Sequence, residues 1–206
     1  MDVSEAIGRH QAALRRCGLC PGMVPPVVMG KPVASPVYLV GQAPGAREGV
    51  LGRPFAWTAG KTMFRWFAGI GLDEEAFRER VYMAAVCRCF PGKNPKGGDR
   101  VPDPHEIEQC SVWLHTELDL LRPALIIPVG KLAASRFLAF GQLSDVVGKR
   151  HRFEMENVMA DLIPLPHPSG ASTWHRREPG KRLLEQALAL IRSHPAWRSL
   201  CDPHAH

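Results

Sequence analysis

The chain has no run of about 18 apolar residues, the length needed to span a bilayer. Its opening stretch, MDVSEAIGRHQAALRR, lacks the apolar core of a secretory leader. Both absences lead to the expectation of a cytoplasmic protein with no membrane contact. No internal repeat is present, which excludes a solenoid or propeller. Acidic residues do not dominate either, since 20 Asp and Glu face 26 Lys and Arg, for a formal charge of +6. What is present is ordinary globular composition, 45% hydrophobic and 22% charged, which excludes disorder as the general state. At 206 residues the chain is expected to form one domain, residues 1–206, and to act as a monomer. In a reducing compartment its six cysteines argue for metal or redox chemistry rather than a disulfide framework.

Periodicity predicts a helix over 4–16, ending where CGLCPG begins. Five prolines between Pro21 and Pro36 predict an extended connection. Short apolar runs at 37–40, 81–86, 124–130 and 158–166 read as strands, separated by helical stretches. The clearest of these are 104–121, with Ile107, Cys110, Leu114, Leu118 and Leu121 on one face, and 180–193, with Leu184, Ala187, Leu188 and Ile191. Strands alternating with helices predict an α/β fold, a three-layer α/β/α arrangement around a mainly parallel four-stranded sheet. Ligands of such sheets sit beyond the carboxyl ends of the strands. The segments after Val40, Val86 and Leu165 are therefore expected on one rim, with residues 91–104 as a mobile loop beside them.

The turn GQAPG after the first strand lacks the G-x-G-x-x-G spacing of a dinucleotide site and the lysine of a phosphate-binding loop. Its glycines and proline would let backbone N–H groups approach a flat ligand, with Phe55 as a stacking face. A tight strand-to-helix turn with Phe55 in the core is the alternative. HPSGAS at 167–172 leaves the last strand and would bring His167 to the same rim. Lys149-Arg150-His151-Arg152 and His175-Arg176-Arg177 are basic clusters that suit a polyanion, or are a solvated surface.

The segment GQAPGAREGVLGRPFAWTAGKTM together with HPSGAS resembles the uracil-DNA glycosylase superfamily. Cys17-x-x-Cys20, Cys89 and Cys110 make the chain most similar to the iron–sulfur-containing family 4 enzymes, over nearly its whole length. The family's first motif reads G-E-[AG]-P-G, followed by a Glu-Asp pair and G-x-P-F-x-G-x-A-G. Gly41, Pro44, Gly45, Glu48, Gly52, Pro54, Phe55, Ala59 and Gly60 match it, whereas Gln42, Gly49 and Trp57 depart from it. The family's second strand ends in a run like T-N-x-x-K-C-R-P-P, whose asparagine reads the uracil edge. Aligned on Cys89, that position holds Ala85. A methyl cannot make the donor and acceptor contacts by which an amide tells uracil from cytosine.

The resemblance implies a DNA repair glycosylase that flips uracil out of DNA and hydrolyses its N-glycosidic bond. His167 would donate to the uracil carbonyl oxygen, helped by the backbone N–H groups of Gln42 and Ala43. Glu48 would orient the water, Phe55 would stack on the base, and Ala85 would line the base pocket. Lys149, Arg150, Arg152, Ser169, Arg176 and Arg177 would hold the DNA. Cys17, Cys20, Cys89 and Cys110 would ligate a 4Fe–4S cluster, with zinc as the alternative metal and Cys87 as the competing third ligand; Cys201 would stay unligated. Two further functions remain open on Ala85, Gln42 and Gly49: a related glycosylase for another deaminated or damaged base, and a non-catalytic lesion-binding DNA protein.

Overall fold

A computed structural model describes residues 2–170 and 172–202, so Ala171 of the HPSGAS segment lies outside it. The chain begins with helix α1 (Val3–Leu14), capped by the Asp2 carboxylate, and continues through a proline-rich connection to strand β1 (Val37–Gly41). Helices α2 (Ala46–Leu51), α3 (Thr58–Ala68) and α4 (Glu74–Arg80) lead to β2 (Tyr82–Ala85). Helix α5 (Pro104–Leu121) then crosses to β3 (Leu125–Pro128), and α6 (Lys131–Ser135) precedes β4 (His151–Met155) and β5 (Val158–Leu162). Helices α7 (Gly180–Ser193) and α8 (Pro195–Cys201) close the described chain. Helix α5 starts where local chemistry says it should. Asp103 and Glu106 form a reciprocal capping box, and Pro104 occupies the first turn, where its missing N–H costs nothing.

Among the described residues the sheet has five strands in the order β2-β1-β3-β5-β4. All neighbours are parallel except β4 and β5. The expected four strands are therefore joined by a fifth, His151–Met155, which begins inside what reads in sequence as a basic cluster. Its alternating half-buried and exposed residues suit an edge strand with one wet face.

Strand periodicity sorts the core into two layers. Val37, Leu39, Met83, Leu125 and Ile127 face α3, α4, α7 and α8, packing on Phe67, Phe77, Leu184 and Trp197. Tyr38, Val40, Tyr82, Ala84 and Ile126 face the other way, against Ile7 of α1 and Leu114 and Leu118 of α5. The three-layer α/β/α fold follows from strands buried on both faces.

One polar network sits inside the second layer. Glu117, fully buried, accepts from the hydroxyls of Tyr38 (2.6 Å) and Tyr82 (2.8 Å), lies 3.3 Å from His10 Nε2, and is ion-paired with Arg88. Burial opposes its charge, but the Arg88 guanidinium and the hydrogen bonds outweigh burial and hold its carboxyl below the usual range. The network ties α1 and α5 to the sheet. Arg88 Nε also donates to the Ala85 carbonyl at 2.9 Å, so the backbone leaving β2 is held in place.

Candidate active site

The turn after β1 is shaped by contacts that only glycine permits. A Cβ on Gly41 would stand 2.9 Å from the Phe55 ring, and one on Gly60 would stand 1.7 Å from the Phe55 carbonyl oxygen. Phe55 itself sits at φ +52°, a left-handed conformation unusual for a bulky residue. Two side chains hold it there. The Glu48 carboxylate accepts backbone N–H groups of Gly45, Ala56 and Phe55, joining the GQAPG turn to the GRPFA turn. Arg78 donates to the carbonyls of Pro54 (2.9 Å) and Phe55 (3.2 Å). Burial raises the Glu48 pKa; the three backbone donors oppose it, and the nearby Asp99 charge reinforces it.

A cavity of about 850 Å³ opens in front of this turn, at the carboxyl ends of the strands. The turn after β1 supplies Gln42, Ala43 and Glu48, and Phe55 follows from the next segment. His167 and Ser169 arrive from beyond β5, and Lys93 and Asp99 come from the loop after β2. Ala85 lies just outside, lining a void of about 30 Å³ with Gly41, Met83, Phe55 and Glu48. A comparably large groove, about 800 Å³, lies between the end of α3 and α8, but neither the glycine turn nor His167 reaches it.

The tautomer of His167 is set by its neighbour. The backbone N–H of Ser169 donates to His167 Nδ1 at 3.2 Å, which leaves the ring proton on Nε2. Burial lowers the His167 pKa below its ordinary 6.5, and the nearby His175 lowers it further. Gly130, at φ +92°, makes room for the ring, since a Cβ there would stand 3.2 Å from His167 Cδ2.

The basic residues are not gathered inside the cavity. Arg150 and Arg152 lie 3.4 and 3.3 Å from Asp161, and Lys149 donates to the Asp145 carbonyl. Arg176 and Arg177 are exposed, whereas His175 turns inward, its ring edge-on to Trp66. Two residues at the mouth were not singled out as site residues from sequence. Trp57, 48% exposed, lies under the Arg47 guanidinium at 5.1 Å, and Asp99 projects from the glycine-rich loop. The only sequence signal for Asp99 is its place after Gly97-Gly98, where both glycines adopt positive φ.

The metal expectation is corrected. Among the described residues, which include all six cysteines, no group of three or more His, Cys, Asp or Glu side chains is arranged to hold a metal ion. This overturns the 4Fe–4S assignment to Cys17, Cys20, Cys89 and Cys110, and the zinc alternative with it. The thiols have other partners. Cys20 and Cys87 both turn their Sγ toward the Glu106 carbonyl, at 3.9 and 3.6 Å, and Cys87 is hydrogen-bonded to Cys110. Burial and mutual repulsion push the Cys20 and Cys89 thiols up to about 11, so both stay protonated.

Comparison with known proteins agrees with this geometry. The profile of the Uracil DNA glycosylase superfamily matches residues 28–192. A type-4 uracil-DNA glycosylase of Archaeoglobus fulgidus is 35% identical over 138 residues, covering 65% of this chain. That is also 65% of the relative's length, just under two thirds. A type-4 uracil-DNA glycosylase of Sulfurisphaera tokodaii is 29% identical over 178 residues, 83% of this chain and 76% of the relative. A type-5 uracil-DNA glycosylase of Pyrobaculum aerophilum is 31% identical over 108 residues, 47% of this chain and 45% of the relative.

Proposed function

The chain belongs to the uracil DNA glycosylase superfamily, and from that membership we propose that it is a DNA-repair glycosylase of the type-4 kind, hydrolysing the N-glycosidic bond of uracil in DNA. The observation that carries the reading is the neutral His167, its Nε2 proton directed by the Ser169 contact, in one cavity with the GQAPG turn and Phe55.

The chemistry follows from where charge develops. As the C1′–N bond breaks, its electron pair leaves with the base and the sugar becomes oxocarbenium-like. A donor at the base carbonyl lowers this barrier because its hydrogen bond strengthens as the base becomes anionic. His167 Nε2–H supplies that donor, with the N–H groups of Gln42 and Ala43. A neutral imidazole suits the task, since it can donate without the cost of burying a cation. Phe55 stacks on the flipped base. Glu48 holds the turn in the shape this requires.

One observation supports a second reading, a glycosylase for another deaminated base. Ala85 offers only a methyl as its side chain, and its carbonyl accepts from Arg88 Nε. No amide at this position selects uracil. The test is cleavage of single uracil, hypoxanthine and xanthine sites in single- and double-stranded DNA by the purified protein, alongside Ala85→Asn. Preference for uracil supports the first reading. Preference for a purine supports the second, and intact DNA throughout supports a non-catalytic lesion-binding protein. An Ala85→Asn protein whose uracil selectivity is unchanged would remove position 85 from base reading.

A further inference from the structure

Resting on the glycosylase reading, we propose that Asp99, rather than Glu48, is the carboxylate that orients and deprotonates the attacking water. Among the described residues these two are the carboxylates lining the cavity. Their situations differ. Glu48 is buried, and its oxygens accept three backbone N–H groups that define the turn. A carboxylate so occupied has little acceptor capacity left for a water. Asp99 is 42% exposed at its side chain and makes one ion pair, Oδ1 to Lys93 Nζ at 2.6 Å. Its other oxygen, Oδ2, faces the glycine turn. A Cβ on Gly45 would stand 3.2 Å from Asp99 Oδ2 and 3.4 Å from Glu48 Oε2, so the absence of a side chain at Gly45 lets the two carboxylates flank one point of the cavity wall.

The loop carrying Asp99 is built to hold it there. Lys93 and Asp99 pair as an antiparallel bridge, and the turn between them is closed by Asn94 N–H to the Gly98 carbonyl (3.0 Å) and Gly97 N–H to the Asn94 carbonyl (2.9 Å). On its far side Arg100 anchors the loop to Glu106 at 2.7 Å and to the Gly22 carbonyl at 3.1 Å. The other charged or titratable groups bordering the same cavity are Arg47, Glu48, Lys93, Arg100 and His167. The Lys93 ammonium is the one paired with Asp99.

In the step assigned to Asp99, the water oxygen bonds to C1′ as the C1′–N pair departs with the base. One water proton passes to Asp99 Oδ2 and the other remains on the new sugar hydroxyl. The base anion, hydrogen-bonded to His167, then takes a proton from solvent, and Asp99 returns its own.

The experiment is single-turnover cleavage, across pH, by the full-length protein and its Asp99→Asn, Asp99→Glu, Lys93→Met and Glu48→Gln variants, with DNA affinity and thermal midpoint measured in parallel. Asp99→Asn is expected to slow cleavage by about 10²-fold or more, within the range for general-base loss. DNA affinity should hold or tighten, because an anion has been removed, and the melting midpoint should be unchanged. Asp99→Glu should recover part of the rate. Lys93→Met should slow cleavage, because the ion pair that positions Asp99 is lost, and Glu48→Gln should lower the melting midpoint, which a pure water-orienting role for Glu48 would not do. Wild-type cleavage with an equally fast Asp99→Asn would overturn the Asp99 assignment alone. Absence of cleavage by the wild type on every lesion would overturn the glycosylase reading and this step together.

Discussion

The Ser169 backbone N–H donates to His167 Nδ1 at 3.2 Å, and this one contact determines which ring nitrogen carries the proton. His167→Ala should therefore slow base excision by about 10²–10³, by analogy with the loss of an oxyanion-hole donor. Affinity for lesion-containing DNA should change little, since the lost interaction matters only as charge builds on the leaving base. Single-turnover rates beside equilibrium binding check both parts. A variant as fast as the wild type on every cleaved lesion would remove His167 from the mechanism.

Gly60 lies against the Phe55 carbonyl so closely that no side chain fits. Gly60→Ala must displace the Phe55 turn, and forced overpacking of this kind costs about 1–3 kcal/mol. For a chain of this size that corresponds to a fall of roughly 2–4 °C in melting midpoint per kcal/mol. Capture of a flipped base should weaken as well, because the stacking ring moves with its backbone. Differential scanning calorimetry and the affinity for an abasic or uracil-containing strand measure the two effects.

If the exposed basic residues hold DNA phosphates, removing them should flatten the salt dependence of binding. Each lost phosphate contact lowers the slope of log K against log salt by about 0.9 on duplex DNA. Arg176→Ala with Arg177→Ala should have the larger effect, because Arg150 and Arg152 already share the Asp161 carboxylate. An unchanged slope in this variant and in Arg150→Ala with Arg152→Ala would make these clusters solvated surface.

His167, His175 and His194 all have pKa values lowered from 6.5, each chiefly by burial. In the unfolded chain they regain ordinary values and take up protons as the pH falls through 6.5, while the folded chain resists. The stability they confer is present above 6.5 and is lost as the pH drops toward their folded values. Glu48 acts in the opposite sense at the acid end, since its raised pKa lets the folded state bind a proton first. The melting midpoint should decline between about pH 7.5 and 5.5, and a His175→Phe variant should show a shallower decline.

Much of the architecture was legible because it rests on local chemistry. The helix over 104–121 was readable from its apolar face, and the structure places it at Pro104–Leu121, its start fixed by the capping box of Asp103 and Glu106. The strands at 37–41, 82–85, 125–128 and 158–162 fall within or one residue beyond the apolar runs. Strand β4 was hidden because an edge strand needs few apolar residues, and Arg150 and Arg152 read as a charge cluster until Asp161 is seen between them.

What the sequence determined by itself was therefore the alternation of strands and helices, and hence that the GQAPG turn and His167 end on one rim. Backbone periodicity and turn residues act over a few positions, so one dimension suffices to read them. Three things only the tertiary structure decided. Glu48 is committed to backbone donors, Asp99 stands at the cavity instead of trailing in a loop, and the cysteines do not form a metal-holding group. Each depends on distances between segments far apart in the chain, set by how two helical layers pack on one sheet, and spacing along a sequence carries no such distance.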